Sequence, residues 1–140
     1  MKNLKKLVLL FLVATVSLVS CNKDDDDAKA STDGTLEGNW EYSKEGTIVA
    51  GQEFLIDFPH TEGCTKDYIE ILAGTFKDHS FGVDCTDNVG EGTWSRSGSD
   101  ITFVEDGDTY TMEIVELTST TLKTKGVFEG SVLVSLYTRK

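Results

Sequence analysis

Leu36, Gly38, Trp40 and Tyr42 alternate with Glu37, Asn39 and Glu41, and this period of two constrains the chain more than any other feature. Successive side chains on a strand point to opposite faces, so such a stretch has one face to bury and one to wet. Phe54, Ile56 and Phe58 repeat the pattern up to Pro59, the single proline, which cannot donate to a ladder and ends the strand. Ile69 and Ile71 precede Ala73-Gly74, Thr75–Phe81 forms a more polar strand, and Gly92-Thr93-Trp94 falls in another. Ile101 and Phe103 lead into Glu105-Asp106-Gly107-Asp108, a hairpin turn in which glycine supplies the positive φ. Tyr110, Met112 and Ile114 share one face of the next strand, Leu122 begins another, and Val132, Val134 and Leu136 close the series. Residues 65–72 could instead form a helical turn with Gly74 as its cap, but Ile69 and Ile71 alternate with Tyr68 and Glu70, which favours a strand.

About eight strands joined by short turns, with no helical period, predict an all-β domain over residues 36–140. The expected architecture is an antiparallel up-and-down β-barrel. A β-sandwich is the alternative, because alternation does not give strand order. The residues expected to point inward are Trp40, Tyr42, Phe54, Ile56, Phe58, Trp94, Phe103, Tyr110, Met112 and Ile114. An eight-stranded barrel is either filled by side chains or holds one small ligand, and these bulky groups favour a filled core with a shallow mouth. Leu133 and Tyr137 lie on the face opposite Val132, Val134 and Leu136, so the last strand is apolar on both faces. That predicts coverage by a loop or an exposed patch for a partner.

The residues before the domain follow different physics. Lys2, Lys5 and Lys6 precede an unbroken apolar run at residues 7–13, the pattern of a secretory signal over residues 1–20; an uncleaved anchor helix is the alternative. Leu18-Val19-Ser20-Cys21 resembles the lipobox of bacterial lipoproteins. The resemblance implies cleavage before Cys21 and lipidation of its sulfur and amine. A thiolate is the nucleophile suited to take the lipid, and several acyl chains, at about 0.8 kcal/mol per buried CH₂, anchor where one would not. Residues 22–35 read NKDDDDAKASTDGT, too polar and too charged to bury a core, so residues 21–35 are expected to form a solvated tether. Lys23-Asp24-Asp25 resembles the export signal of some Gram-negative surface lipoproteins, which implies the outer membrane and the cell surface. A charged spacer on a periplasm-facing lipoprotein is the alternative.

The full chain carries 13 basic and 24 acidic side chains, a net of −11; loss of the three signal lysines takes it to −14. Such a surface repels nucleic-acid phosphates and anionic headgroups. No nucleic-acid partner is expected, and contact with the membrane is expected through the lipid alone. With Cys21 given to lipid, Cys64 and Cys85 remain, and an even pair in an exported protein predicts a disulfide. Closing a loop of about twenty residues stabilises by roughly 3 kcal/mol. The alternative, a metal site with His60 or His79, lacks a compact ligand spacing.

The order Gly38-Asn39-Trp40, Cys64-Thr65-Lys66-Asp67-Tyr68-Ile69, Gly74-Thr75-Phe76, Cys85, Gly92-Thr93-Trp94, Glu116-Leu117-Thr118 and Thr121-Leu122 resembles the bacterial lipocalin-like lipoprotein family. The resemblance implies an antiparallel β-barrel and leaves the ligand open. Residues 45–58 are longer and less regular than a simple first hairpin needs. In the repeated Gly-x-Trp, glycine permits close packing and the indole plugs a barrel end, so Trp40 and Trp94 are expected as plugs.

No catalytic constellation is legible. His60 and His79 lack a motif-linked Ser or Cys nucleophile, and the acidic groups Asp84, Asp87 and Glu91, and Asp106 and Asp108, miss the calcium-loop spacing and read as solvated turns. No enzyme activity, cofactor or metal is expected. Two functions remain: a binder of a small apolar or amphipathic molecule, or a non-enzymatic interaction domain with a filled barrel that uses its outer strands or loops.

Overall fold

The computed structural model describes residues 34–140; the signal segment, Cys21 and Lys23-Asp24-Asp25 lie outside them. Nine strands follow in order: β1 (Gly38–Val49), β2 (Gln52–Asp57), β3 (Tyr68–Ile71), β4 (Thr75–Phe81), β5 (Asp87–Ser97), β6 (Asp100–Glu105), β7 (Asp108–Leu117), β8 (Thr121–Phe128) and β9 (Ser131–Arg139). From β3 to β9 each strand pairs antiparallel with the next, and β1 pairs with both β3 and β9. The ring therefore closes through eight strands, which excludes the sandwich. Residues 65–72 include strand β3, as the alternation predicts.

Three hairpins turn on Ala50-Gly51, Asp106-Gly107 and Glu129-Gly130, with positive φ at both central residues. Those tight turns match the twist of their strands. All three sit at one end of the barrel, which consequently has no long loop from these hairpins to fold across it.

The ninth strand, β2, stands outside the ring and pairs only with residues 44–49 of β1. Gly46 makes this possible: a Cβ there would run into the Phe54 carbonyl, so the bare backbone lets β2 fold over the outer face. Glu53 on β2 reaches Lys123 on β8 at 2.7 Å, spanning β9, and outward-facing Val134 on β9 is fully buried. Phe54 and Ile56, expected inside, are instead 55% and 66% exposed, because their strand forms a flap and not part of the wall. Phe58, just past the flap, turns in and stacks on Tyr42 at 4.7 Å between ring centroids. Of the two readings of the last strand, coverage holds, by a strand and not a loop, and the exposed patch at Leu133 and Tyr137 is corrected. Tyr137 is buried in the core, Leu133 shares its inward face, and the opposite face is apolar because the flap covers it.

Trp40, Ile71, Ile101, Ile114 and Leu117 fill the end where the chain enters through Leu36. Trp40 Nε1 donates to the Leu36 carbonyl at 2.7 Å, and the Arg139 guanidinium lies 4.0 Å over its ring. Trp94 Nε1 donates to the Leu72 carbonyl at 2.6 Å. Both indoles plug this base. Gly92 admits the Phe76 ring, where a Cβ would collide. Strand β3 is short, and residues 58–67 complete the wall beside it. The Cys64–Cys85 disulfide, 5.2 Å between Cα atoms, ties that segment to the β4–β5 turn. Asp67 adds to the tie by accepting the Phe81 N–H at 2.8 Å.

Candidate functional site

Above the base, the alternation that turns Phe76 and Phe103 inward carries on to Asp78 on β4 and Glu105 on β6. Gly90 leaves the room they need: a Cβ there would meet the Glu105 carboxylate, with Asp78 alongside. Tyr42 donates its hydroxyl to Asp78 Oδ1 at 3.1 Å, and Tyr110 donates to Glu105 Oε2 at 2.5 Å. These four groups, with Phe103, Met112 and Tyr137, line a cup of about 90 Å³. At ~30 Å³ per water that is room for roughly three waters, far short of the ~300 Å³ at which ligand pockets begin.

Burial raises the Asp78 carboxyl above the usual carboxylate range; the Tyr42 hydrogen bond opposes this, while Glu105 and Asp67 add to it. Tyr42 is raised well above an ordinary phenol, first by burial and then by Tyr137 and Asp78. Burial also pushes Tyr137 up to about 12. The phenols therefore remain neutral donors at physiological pH.

The larger opening lies in the wall. The β7–β8 ladder runs from Leu117–Leu122 to Met112–Gly126 and stops. Strand β7 continues to Asp108 against β6, and β8 continues to Phe128 against β9. Residues 108–111 and 127–128 thus part, leaving a window at the rim. On its outer side the space measures about 760 Å³. Within the gap it measures about 160 Å³ between Tyr110, Met112, Val127, Phe128 and Leu133. Tyr110 borders both spaces and the cup, and Met112 borders the gap and the cup, so the three spaces adjoin. Val127 and Phe128 are 74% and 65% exposed. Tyr110, expected in the interior, stands at this threshold and is 39% exposed.

The other predicted residues have structural roles. The two cysteine sulfurs bond to each other, which removes the thiolates a metal site would need. His60 Nδ1 accepts the Asp67 N–H at 3.0 Å, so Nε2 carries the proton and donates to the Tyr42 carbonyl at 2.7 Å. His79 pairs with Asp87 at 2.9 Å and stacks flat on Tyr68 at 4.3 Å. Among the described residues no three His, Cys, Asp or Glu side chains are placed to hold a metal. Asp84 accepts from the Thr86 amide and hydroxyl and shapes a turn. Asp78, Glu105 and the window went unpredicted; counting two residues on from Phe76 and Phe103 would have found the acids.

A match to the lipocalin-like domain family spans residues 36–124. A lipocalin-like protein from Bacteroides uniformis ATCC 8492 has a similar structure, with a TM-score of 0.56 at 15% identity, covering 75% of this chain and 98% of that one. An uncharacterized protein from Bacteroides eggerthii DSM 20697 matches with a TM-score of 0.56 at 11% identity, covering 76% and 100%. No curated relative matches. Eight antiparallel strands in a closed ring, tryptophan plugs at the base and a family match over most of the barrel together place the chain in the lipocalin-like domain family.

Proposed function

We propose that this is a lipid-anchored binding protein that takes up a small amphipathic molecule through the β7–β8 window. The observation that carries the proposal is the early end of the β7–β8 ladder, which opens an apolar gap into an otherwise filled barrel. The cup alone is too small for a ligand, whereas cup and window together suit a slender chain with a compact head. The fold is typical of binding domains, the two cysteines of the domain are bonded to each other, and both imidazoles hold hydrogen-bond partners, His79 through Nδ1 alone.

Titration with N-phenyl-1-naphthylamine, a neutral apolar fluorophore, tests the window. Wild type should bind in the micromolar range, and Leu133→Trp, which fills the gap, should weaken binding about tenfold or more. Equal binding by both proteins would sink the window reading. Exposed Phe54 and Ile56 on the flap favour a second reading, a protein-interaction surface. A Phe54→Ser/Ile56→Ser variant that loses a partner in cross-linking on intact cells, yet binds the fluorophore normally, would favour it.

The anchor is part of the same proposal. The chain enters the barrel at its closed base, where the Gly34 amide donates to the Leu117 carbonyl at 3.3 Å, so the mouth lies at the end opposite the tether. Lipid on Cys21 would hold the protein in the outer membrane, and Lys23-Asp24-Asp25 would direct it to the cell surface. Labelled palmitate should be incorporated by wild type and not by Cys21→Ser. Protease shaving of intact cells should lose its signal in Asp24→Ala/Asp25→Ala; equal exposure in both strains would rule out the export motif.

A further inference from the structure

Resting on the small-molecule reading above, we propose that the ligand is a cationic amphiphile, an amine whose charged head sits in the cup and whose apolar body lies along the window. The cup offers an ammonium group three kinds of contact. Asp78 and Glu105 supply opposite charge and acceptors, and each is held in place by one tyrosine hydroxyl. The rings of Tyr42, Phe103 and Tyr110 line the same cavity, and aromatic rings attract a desolvated cation. The volume of about 90 Å³ admits an ammonium or methylammonium and excludes a bulky polar head.

The path into the cup discriminates in the same sense. Its outer mouth carries Asp100, Asp108, Glu113 and Glu129 against the one cation, Lys125, and Lys125 is already paired with Glu113 at 2.9 Å. The gap between is walled by Met112, Val127, Phe128 and Leu133, which suits a hydrocarbon chain. A carboxylate head would meet two like charges in the cup. A neutral head would leave those carboxylates without a counter-charge. The acidic chain as a whole draws cations toward the mouth.

Calorimetric titration at pH 7 with dodecylamine, dodecanol and dodecanoate, all below their aggregation limits, separates head from tail. The amine should bind at least about tenfold more tightly than the alcohol, as a charge-assisted contact in a confined site requires, and dodecanoate most weakly. Asp78→Asn and Glu105→Gln should each reduce the ratio of dodecylamine to dodecanol affinity. Equal binding of the three, or tightest binding of dodecanoate, overturns the cationic assignment but leaves the window as a site. Failure of all three to bind overturns both. Dodecylamine that still binds fully to Leu133→Trp is held on the acidic surface and overturns the assignment too. The wild-type ranking decides the question even if a cup variant does not fold.

Discussion

Strands β7 and β8 pair at the base and part at the mouth, and the two halves of this one pair contrast the whole barrel. From Leu117–Leu122 to Met112–Gly126 they share a ladder over a core of Ile114, Leu117 and Leu122. Beyond that point each follows its own hairpin partner, and Val127 and Phe128 face solvent. The base pairs its strands and buries its apolar side chains. The mouth leaves apolar surface and strand edges unpaired, which only a ligand or partner would repay. Stability and function are thus assigned to opposite ends of the same strands.

The largest test of that division pairs one residue from each end. Trp40→Ala removes a fully buried indole and its bond to Leu36, and should destabilise by about 4 kcal/mol. Phe128→Ala removes a ring already in solvent, and should change stability by no more than ~0.5 kcal/mol while weakening fluorophore binding. Urea unfolding of both variants measures the contrast. Comparable losses of stability would mean that the mouth is structural after all.

The disulfide comes next. It closes a separation of 21 residues, and Cys64→Ser/Cys85→Ser should lose about 3 kcal/mol. The loss should concentrate in residues 58–67 and the β4–β5 turn, which hydrogen exchange would locate. Uniform loosening of β7 and β8 would instead couple the clamp to the window.

A smaller effect is expected at Gly92. A Cβ there would strike the Val104 carbonyl and the Phe76 ring, and the carbonyl belongs to a paired strand that cannot retreat. Gly92→Ala should destabilise by about 2 kcal/mol through overpacking. A thermal midpoint unchanged from wild type would show that the wall yields more than close packing allows.

The base was legible in the sequence and the mouth was not, for a physical reason. Trp40, Phe103 and Ile114 announce their inward face by alternation, and Asp106-Gly107 announces its turn, because both signals are local. The flap is not local. Phe54 and Ile56 alternate as a wall strand would, and only Gly46, whose bare backbone admits β2 over the outside, distinguishes the two outcomes. Tyr137 was open to a surface reading because Val134 on the other face is equally apolar, and the cover over Val134 comes from the flap. The window is a relation between two strands, the point where one ladder ends while its neighbours continue, and neither strand encodes that alone. Asp78 and Glu105 were within reach of the alternation. Asp78 escapes notice because Thr75–Phe81 reads as a polar strand with no marked inner face, and Glu105 because it reads as part of the turn with Asp106-Gly107.

The smallest effect, and the one most specific to the mouth, concerns Asp78. Burial raises its folded-state carboxyl pKa, aided by Glu105 and Asp67 and opposed by the Tyr42 hydroxyl and by His79. The folded protein therefore holds this proton more tightly than the unfolded chain. The stabilisation from that proton is complete below the ordinary carboxylate value of about 3.9 and is lost as pH rises through the raised folded value. Above that raised value the folded state carries a buried charge that it would be more stable without. Asn at this position keeps an acceptor for Tyr42 and carries no charge. The difference in thermal midpoint between Asp78→Asn and wild type should therefore grow from pH 4 to pH 7, with the variant the more stable at pH 7. Taking the difference cancels the other titrating groups shared by the two proteins. A constant difference would mean that Asp78 is solvated like a surface acid, and the cup would then hold no stored charge for a ligand to neutralise.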